Sequence, residues 1–420
     1  MRLIILTTFA FSVLLVASAQ TAKTLTIEDC YKLARQNYPL IKQKEIISKS
    51  KEYSIENASR GYLPQFSING QGTYQSDVTE IPIKIPNTVI PTIGKDQYKI
   101  YAEVNQTISD GGVIKMQKQS IEANAATDDQ NLEVQLYKLK ERINQLFFGI
   151  LLVKEQYLLT EIQKKDIQNG ITKTNASIAN GTALKSSSDV LEAELLQVDQ
   201  HSIEVRATQQ AYLDMLGQFV NQSLDETTSL EKPAQISISQ NISRPELSLF
   251  DTEKKAIDVQ DRLINAKIQP KISLFADAGY GRPALNLLKN EFAGYYIGGV
   301  RFNWSLSGFY TYKKEKALLE NSRKSIEIQK ETFLFNTNST LKQQNAEILK
   351  LQELIKSDDR IIQMRSKVKN TATAQLDFGV INSSDYLREV NAEAGAMQSR
   401  LLHEIQLLEA QYDQKTTSGN

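Results

Sequence analysis

The sequence has few of the residues that build metal centres and disulfide frameworks. Its 420 residues include one cysteine and two histidines, too few for paired disulfides or for a zinc or iron–sulfur site with several such ligands. Basic and acidic residues both number 49, so no basic excess exists to bind nucleic-acid phosphates. Nine prolines and nineteen glycines are few and favour long uninterrupted elements. No constellation of Ser, Cys and His suggests a nucleophile, so we predict no enzyme, cofactor or metal.

The N-terminus has the pattern of an export signal. Arg2 supplies the positive charge, residues 3–16 the apolar run, and Ala17-Ser18-Ala19 the small residues of a cleavage site. Residues 1–19 are therefore assigned to a signal peptide; the alternative, a membrane anchor, needs about 20 apolar residues. No later apolar run is long enough to span a bilayer. Cys30 has acidic neighbours, unlike a lipidation site, and is interpreted as a core or surface cysteine.

The same landmarks recur in one order in the two halves of the chain. Recurrence of a whole series is not expected by chance, so residues 20–232 and 233–420 are interpreted as two copies of one repeat. The first copy contains Pro39, Pro64, Asp110-Gly111, Gly181 and Ser187-Ser188-Asp189, and the second contains Pro245, Pro270, Ser307-Gly308, Gly379 and Ser383-Ser384-Asp385.

Within each repeat the hydrophobic periodicity changes from helical to period-two and back to helical. Repeat 1 is predicted to contain a helix over 26–60, strands 64–76 and 97–109, a long helix 112–180 and a return helix 187–222. Repeat 2 is predicted to contain a helix 245–268, strands 270–281 and 293–306, a long helix 309–378 and a return helix 384–414. The long helices have apolar residues at coiled-coil spacing, and about 67 residues would span roughly 100 Å. The predicted fold class is mainly α, with four transmembrane β-barrel strands and long coiled-coil helices in each protomer.

The four predicted strands alternate apolar and polar residues. Each has about ten residues, the length with which a tilted strand crosses a bilayer. Pro82, Pro86 and Pro91 predict a long irregular loop between the first two strands. The polar faces would line the lumen of a barrel, with the charged residues Lys99, Glu103, Asp277 and Arg301.

Four strands are too few to close a membrane barrel, which needs about eight. An open edge in lipid leaves backbone groups unpaired, so the chain must pool strands: a dimer would supply eight and a trimer twelve. The alternative is a soluble sandwich with its polar face in water. Aromatic residues near the ends of the last strand favour the membrane, as interface girdles do: Tyr295, Tyr296, Phe302, Trp304 and Phe309.

Several motifs together resemble the TolC-type outer-membrane efflux proteins, over nearly all of the mature chain. They are Leu25-Thr26-Ile27-Glu28-Asp29-Cys30 with Asn37-Tyr38-Pro39, the Pro-x-apolar-Ser openings at Pro64 and Pro270, and the glycine-then-aspartate helix tips. The resemblance implies a homotrimer with a twelve-stranded barrel in the outer membrane and a twelve-helix periplasmic tunnel. It also implies docking onto a periplasmic adaptor and an inner-membrane pump of the RND, ABC or a similar class. The chain would be a passive exit duct for efflux or type I secretion. A periplasmic adaptor or a secreted coiled-coil structural protein are the alternatives.

The resemblance also implies where the adaptor docks. The turns between long and return helices would carry the contact residues Gly181, Thr182, Gly379 and Val380. The alternative is that both glycines are plain helix C-caps, since only a residue without Cβ enters a left-handed turn cheaply.

A ring of aspartates past the second tip constricts the tunnel in some relatives of that type, and Asp385 has the matching position. Asp189 is its counterpart in the first repeat. The alternative is that Asp385 is a helix N-cap. Arg388 stands where a second acidic ring would be expected and could pair with Asp385 at i, i+3. The sequence therefore departs from a purely acidic constriction here.

Other charged residues are interpreted as surface or packing groups. Asp128-Asp129 and Asp358-Asp359 are predicted to lie on solvated helix faces. His201 and His403 have no Cys, Asp or His at ligand spacing.

Overall fold

A computed structural model describes residues 24–80, 82–83, 92–236 and 241–420. The predicted signal peptide and two residues of the predicted loop, Pro86 and Pro91, lie outside the described residues. The chain divides into two compact units. The helical unit comprises the described residues of Met1–Tyr38, Leu139–Ile238 and Gln343–Thr416, and the sheet unit those of Pro39–Lys138, Ser239–Lys342 and Thr417–Asn420. Each unit takes residues from both predicted repeats.

The elements follow in chain order as helices α1 to α8 and strands β1 to β4. They are α1 Ile27–Asn37, α2 Gln43–Ser59, β1 Gln65–Tyr74, β2 Asp96–Ser109, α3 Val113–Tyr137, α4 Leu139–Ala179, α5 Lys185–Val220, α6 Pro245–Lys267, β3 Lys271–Arg282, β4 Ala293–Asn303, α7 Gly308–Asp377 and α8 Ser383–Ser418. The described chain is therefore mainly α-helical with one small sheet, as the periodicity predicts. None of its described helices is long and apolar enough to cross a membrane.

Two of the predicted helices are interrupted. The helix predicted over 26–60 is divided by a 3-10 turn at Pro39–Lys42, because proline lacks the N–H that would continue the helical ladder. Helix α1 itself begins with a capping box, in which the Asp29 N–H donates to Thr26 Oγ1 at 3.1 Å and the Asp29 carboxylate accepts from the Thr26 N–H at 3.3 Å. The helix predicted over 112–180 changes from α3 to α4 at Lys138.

The strands form one antiparallel sheet in the order β1-β2-β3-β4. Residues opposite one another in the register share polarity: Ser67 lies opposite Glu103, which lies opposite Asp277. Ile68 lies opposite Ala102, which lies opposite Ala278. The sheet therefore has one mainly polar and one mainly apolar face, because side chains alternate with a period of two. Phe275 and Ile297 are apolar residues on the polar face.

In the sheet unit, α3 packs against α2 and α6. Leu132 and Leu136 of α3 and Leu263 of α6 are buried, and the first two belong to the seam that the sequence predicts. A large apolar core also forms within the helical unit. Its buried members include Ile27 and Cys30 of α1, Ile143, Leu146, Phe147 and Ile150 of α4, Leu213 and Leu216 of α5, and Leu401, Ile405 and Leu408 of α8. Cys30 is fully buried there, and burial raises the pKa of its thiol to about 12.

A polar network is embedded at the edge of this core. Asn144 of α4 is fully buried; its amide nitrogen donates to Asp413 Oδ1 at 2.8 Å, and its amide oxygen accepts from the Tyr31 hydroxyl. Burial raises the pKa of Asp413, although the hydrogen bond from Asn144 opposes the rise. The network joins α1, α4 and α8, because a buried amide must satisfy its polar atoms.

Glu409 lies one helical turn before Asp413 on α8. It is half-buried and has no hydrogen bond or ion pair with any other residue that the structure describes. Burial, followed by the like charge of Asp413, raises the pKa of Glu409 from 4.5 to about 7. The folded chain therefore binds this proton more tightly than the unfolded chain does.

We predict that replacing Glu409 with glutamine flattens the pH dependence of unfolding. Because the folded-state pKa is raised, Glu409 contributes most stability below its unfolded pKa and loses that contribution as the pH rises towards about 7. The thermal midpoint of wild type in detergent should fall between about pH 5 and about pH 8 more than that of Glu409→Gln.

Glu404 of the same helix is the matched control. Burial raises its pKa, but ion pairs with Lys232 and Arg400 outweigh burial and hold that pKa below its usual value. Glu404→Gln should therefore destabilise the chain near neutral pH. An equal pH slope in wild type and Glu409→Gln would show that Glu409 does not carry the effect.

Candidate functional site

The two helix tips have the same backbone geometry. In the first, the Gly181 N–H donates to Ile178 O at 3.0 Å and the Thr182 N–H donates to Ser177 O at 2.9 Å. In the second, the Gly379 N–H donates to Leu376 O at 3.1 Å and the Val380 N–H to Gln375 O at 2.8 Å. Both patterns are Schellman caps, whose C′ residue is left-handed. The φ angles of Gly181 and Gly379 are 72° and 67°, which explains the glycine at each turn.

The residues around these glycines expose apolar side chains. Leu184 is 74% exposed, Phe378 84% and Val380 68%. A groove between the two turns is lined by residues of both, including Thr182, Leu184, Phe378 and Val380. An added Cβ at Gly181 or Gly379 would meet no atom within 4 Å. The tip surface thus exposes apolar side chains beside polar ones and is open in the single chain, a composition found at contact surfaces.

A small core lies just behind the tips in the same unit. It joins α4, α5, α7 and α8 through Ile167, Leu191, Val198, Ala372, Leu376, Tyr386, Leu387 and Val390. Tyr386 lies so close to Gly170 that a Cβ there would be 2.7 Å from its ring. The Tyr386 hydroxyl donates to the Asp166 carbonyl at 3.0 Å, and burial raises the pKa of this tyrosine. The ends of the four helices are therefore packed together.

A partly buried ion cluster adds to that packing. Lys369 Nζ of α7 lies 2.6 Å from Glu393 Oε2 of α8 and 3.0 Å from Asp166 Oδ2 of α4. Ser366 also donates to Glu393. Burial lowers the pKa of Lys369, but the hydrogen bonds with Glu393 and Asp166 outweigh burial and raise it. One lysine thus holds carboxylates from two other helices, as buried charges require partners.

The structure corrects one interpretation of Asp385. The N-cap of α8 is Asn382, whose Oδ1 accepts from the Asp385 N–H at 2.9 Å; Asp385 lies inside the first turn. Arg388 Nη1 is 3.4 Å from Asp385 Oδ1, the i, i+3 pair that the spacing predicts, and Arg388 Nε is 3.1 Å from Glu389 Oε1. Asp189 is exposed on α5 and has no ion pair with a described residue. The two aspartates therefore differ in their surroundings.

The prediction that Asp358 lies on a solvated face is wrong. Only 7% of Asp358 is exposed, and its Oδ2 lies 2.6 Å from Nδ1 of His403. The two residues are 45 positions apart on α7 and α8, so local spacing could not reveal the pair. Asp128 is exposed, as predicted. Among the described residues, no group of three or more His, Cys, Asp or Glu could hold a metal ion.

The polar face of the sheet brings the predicted charged residues Glu103, Asp277 and Arg301 together. Arg301 Nη1 of β4 reaches across β3 to Glu103 Oε1 of β2 at 2.7 Å. The Arg301 guanidinium also lies 4.6 Å from the centre of the Phe275 ring, a cation–π contact. Lys99 lies on the same face, opposite Gln71 and Gly281. Asp277 lies directly opposite Glu103, and its buried Oδ1 has no hydrogen-bond partner among the described residues.

The apolar face of the sheet is more exposed than the polar face. Along β3, Leu274, Ala276 and Ala278 are exposed, whereas the intervening Phe275 and Asp277 are half-buried. On the outer strands, Phe66 is 77% exposed and Tyr296 84%. Trp304 lies just past the end of β4, and its indole N–H donates to the Ile268 carbonyl at 3.0 Å. Exposed aromatic residues therefore lie near both ends of β4.

Sequence reasoning missed several residues of the tips. Leu184 and Phe378 were not singled out, although an apolar residue beside a turn glycine is a signal that could have found them. Lys369 gives no such signal, because its partner Asp166 is 203 positions away.

No protein-family model matches the chain, and no curated protein matches it. Solved structures do. The outer membrane protein VceC from Vibrio cholerae is 13% identical with a TM-score of 0.66, over 94% of this chain and 96% of that one. The outer membrane channel CmeC of Campylobacter jejuni is 12% identical with a TM-score of 0.64, over 94% and 85%.

The MtrE outer membrane channel of Neisseria gonorrhoeae, in its open state, is 12% identical with a TM-score of 0.63, over 94% of this chain and 89% of that one. Similarity at this level of identity concerns the fold, and it extends over nearly the whole chain. The chain therefore has the fold of the TolC-type outer-membrane channels, and the resemblance inferred from its motifs is confirmed at the level of the fold.

Proposed function

We propose that this protein is an outer-membrane channel, the passive exit duct of an efflux or type I secretion system. The observation that carries the proposal is the inverted polarity of the sheet. A sheet in a soluble protein packs its apolar face on a core and exposes its polar face. Here the apolar residues Phe66, Ile68 and Tyr296 are between 77% and 84% exposed, and the polar face is the more shielded one. Lipid on one side and water on the other suits this arrangement.

The open edges of the sheet support an oligomer. Within the described residues, strands β1 and β4 each pair with a neighbour on one side only, and a bilayer supplies no water to satisfy the free edge. Pairing β4 of one copy with β1 of the next would remove every edge. Three copies of a four-stranded sheet make a twelve-stranded barrel, wide enough for an aqueous lumen. We propose a homotrimer of this kind, with a twelve-helix tunnel in the periplasm.

The tips are proposed to dock a periplasmic adaptor, which in turn meets an inner-membrane pump. Gly181, Thr182, Gly379 and Val380 lie at two turns of equal geometry, and the exposed side chains of Leu184 and Phe378 add apolar surface beside them. An exposed apolar surface rimmed by polar residues is typical of a protein–protein contact. The glycines would set the turn geometry, and their neighbours would make the contact.

Asp385, Arg388 and Asp189 are proposed to lie at the periplasmic constriction. The Asp385 side chain is 40% exposed, and Asp385, Arg388 and Glu389 together carry one net negative charge. Three copies of such a group around an axis would attract cations and repel one another. The partial neutralisation by Arg388 distinguishes this ring from a purely acidic one.

Single-channel conductance in a planar bilayer tests the duct and the constriction together. Wild type should insert and conduct with a small unit conductance, and Asp385→Ala should raise it by about twofold, because the smaller alanine side chains leave a wider opening at the ring. Asp214→Ala, an exposed site on α5, is the control and should behave as wild type. Wild type that never inserts would refute the channel, whereas pores unchanged by Asp385→Ala would refute the constriction alone.

Cross-linking in intact cells tests the docking surface. The only cysteine, Cys30, is fully buried, so a new exposed thiol can be labelled selectively. With a maleimide–benzophenone reagent, which attaches to the new thiol and on illumination inserts into nearby C–H bonds, Val380→Cys should give an adduct with a second, different protein, identified by mass spectrometry. Asp214→Cys, exposed on α5, should not. Adducts that contain only copies of this chain, from both Val380→Cys and Leu184→Cys, would contradict docking at the tips.

A further inference from the structure

On the polar face of the sheet, the level of Glu103 and Asp277 has more negative than positive charge. Glu103 and Asp277 are directly opposite each other on β2 and β3, where two like charges oppose strand pairing. Among the described residues, one cation is ion-paired at that level: Arg301, whose Nη1 lies 2.7 Å from Glu103 Oε1. Asp277 is therefore left as one uncompensated negative charge in each chain.

Arg301 is held by Glu103 and is not shared with Asp277. Its guanidinium is fixed between the Glu103 carboxylate and the Phe275 ring, and the Glu103 side chain is only 18% exposed. Asp277 Oδ1 is buried and has no hydrogen-bond partner among the described residues. The planar guanidinium fork favours the one carboxylate with which its geometry is satisfied.

Among the described residues of the polar face, no cation other than Arg301 forms an ion pair with Glu103 or Asp277. Lys99 is four residues from Glu103 along β2, or about 13 Å at the rise of a strand. Lys271 is six residues from Asp277 along β3, about 20 Å away. Neither lysine forms an ion pair with Asp277 in the described structure.

A neighbouring copy would not supply a cation either. In the proposed trimer, β4 pairs with β1 of the next copy. The polar face of β1 consists of Gln65, Ser67, Asn69, Gln71 and Thr73, all of which are uncharged. The negative charge of Asp277 therefore persists in the closed barrel and is repeated at one level by the threefold axis.

We propose that Asp277 makes the barrel lumen prefer cations, and that Arg301 limits this preference by neutralising Glu103. The inference rests on the proposed channel function and names the charge class of solute that the barrel favours. A ring of fixed negative charge with low-dielectric walls concentrates cations at its level. Cationic solutes would thus leave through the barrel more readily than anionic solutes of equal size.

The reversal potential of the purified protein in a planar bilayer under a KCl gradient tests the proposal. Wild type should favour K⁺, and Asp277→Asn should lower the K⁺/Cl⁻ permeability ratio by about twofold. Glu103→Gln should lower it as well, because Arg301 is then free to neutralise Asp277. Arg301→Gln should raise the ratio, since two carboxylates remain, and Arg301→Lys should restore it towards wild type.

The opposite signs separate this mechanism from misfolding, which would not raise the ratio in one variant and lower it in another. Each substitution is repeated in the Asp385→Ala background, so that charge selectivity at the tip does not hide the contribution of the barrel. Asp214→Asn, at an exposed site on α5, is the control and should leave the permeability ratio unchanged. Equal ratios in wild type, Asp277→Asn and Arg301→Gln would overturn the inference while the conductance still supports a channel. A wild type that does not conduct would overturn the proposed function and this inference with it.

Discussion

The arrangement of the sheet is the constraint on which the remaining structure depends. The described residues supply four strands, all antiparallel, and along β3 the apolar face is more exposed than the polar face. Such a sheet is stable only where its apolar face leaves water and its two edges find partners, because unpaired backbone groups are costly in an apolar medium. The polar face then needs water, and the proposed channel meets both needs with lipid outside the sheet and an aqueous space inside. The proposed trimer satisfies both requirements with no strand beyond those of the chain.

Sequence periodicity predicts well which faces of the helices and strands are buried. Buried side chains recur at the fixed spacing of a helix or strand, so the pattern can be read from a short stretch of sequence. The apolar residues of α4 and α8 at heptad-like spacing, such as Ile143, Ile150 and Ile405, are buried in the helical unit. The alternation in β3 correctly separates Leu274 from Phe275 and Asp277. The turn glycines can be predicted for a similar reason, because a left-handed backbone conformation favours glycine at that one position. Pro39 was overlooked within a helical pattern, and its missing N–H ends α1.

The pairings between helices could not be predicted in this way. His403 with Asp358, Asn144 with Asp413 and Lys369 with Asp166 join positions between 45 and 269 residues apart. Each pair depends on which faces of different helices meet, a property of tertiary packing that a periodic pattern leaves open. The two tips illustrate the division: they share the same Schellman hydrogen bonds, yet Asp385 has Arg388 beside it while Asp189 has no ion-paired partner in the described chain. Backbone geometry is the same at the two tips, and charge placement is not.

The net charge of the chain is zero, but two acidic side chains lie in shielded positions without an ion-paired cation among the described residues. Most ion pairs on the helices are exposed, as between Lys356 and Glu353, and such pairs contribute little to stability. Glu409 and Asp277 differ from them, because each carboxylate is shielded, faces another acid and has no cation of its own in the described structure. A like-charge contact of this kind lowers stability, so packing gives no reason for it. Natural chains break local rules mainly where function requires it. For Asp277, on the polar face of a sheet whose other face suits lipid, the requirement that fits is a fixed charge beside an aqueous path.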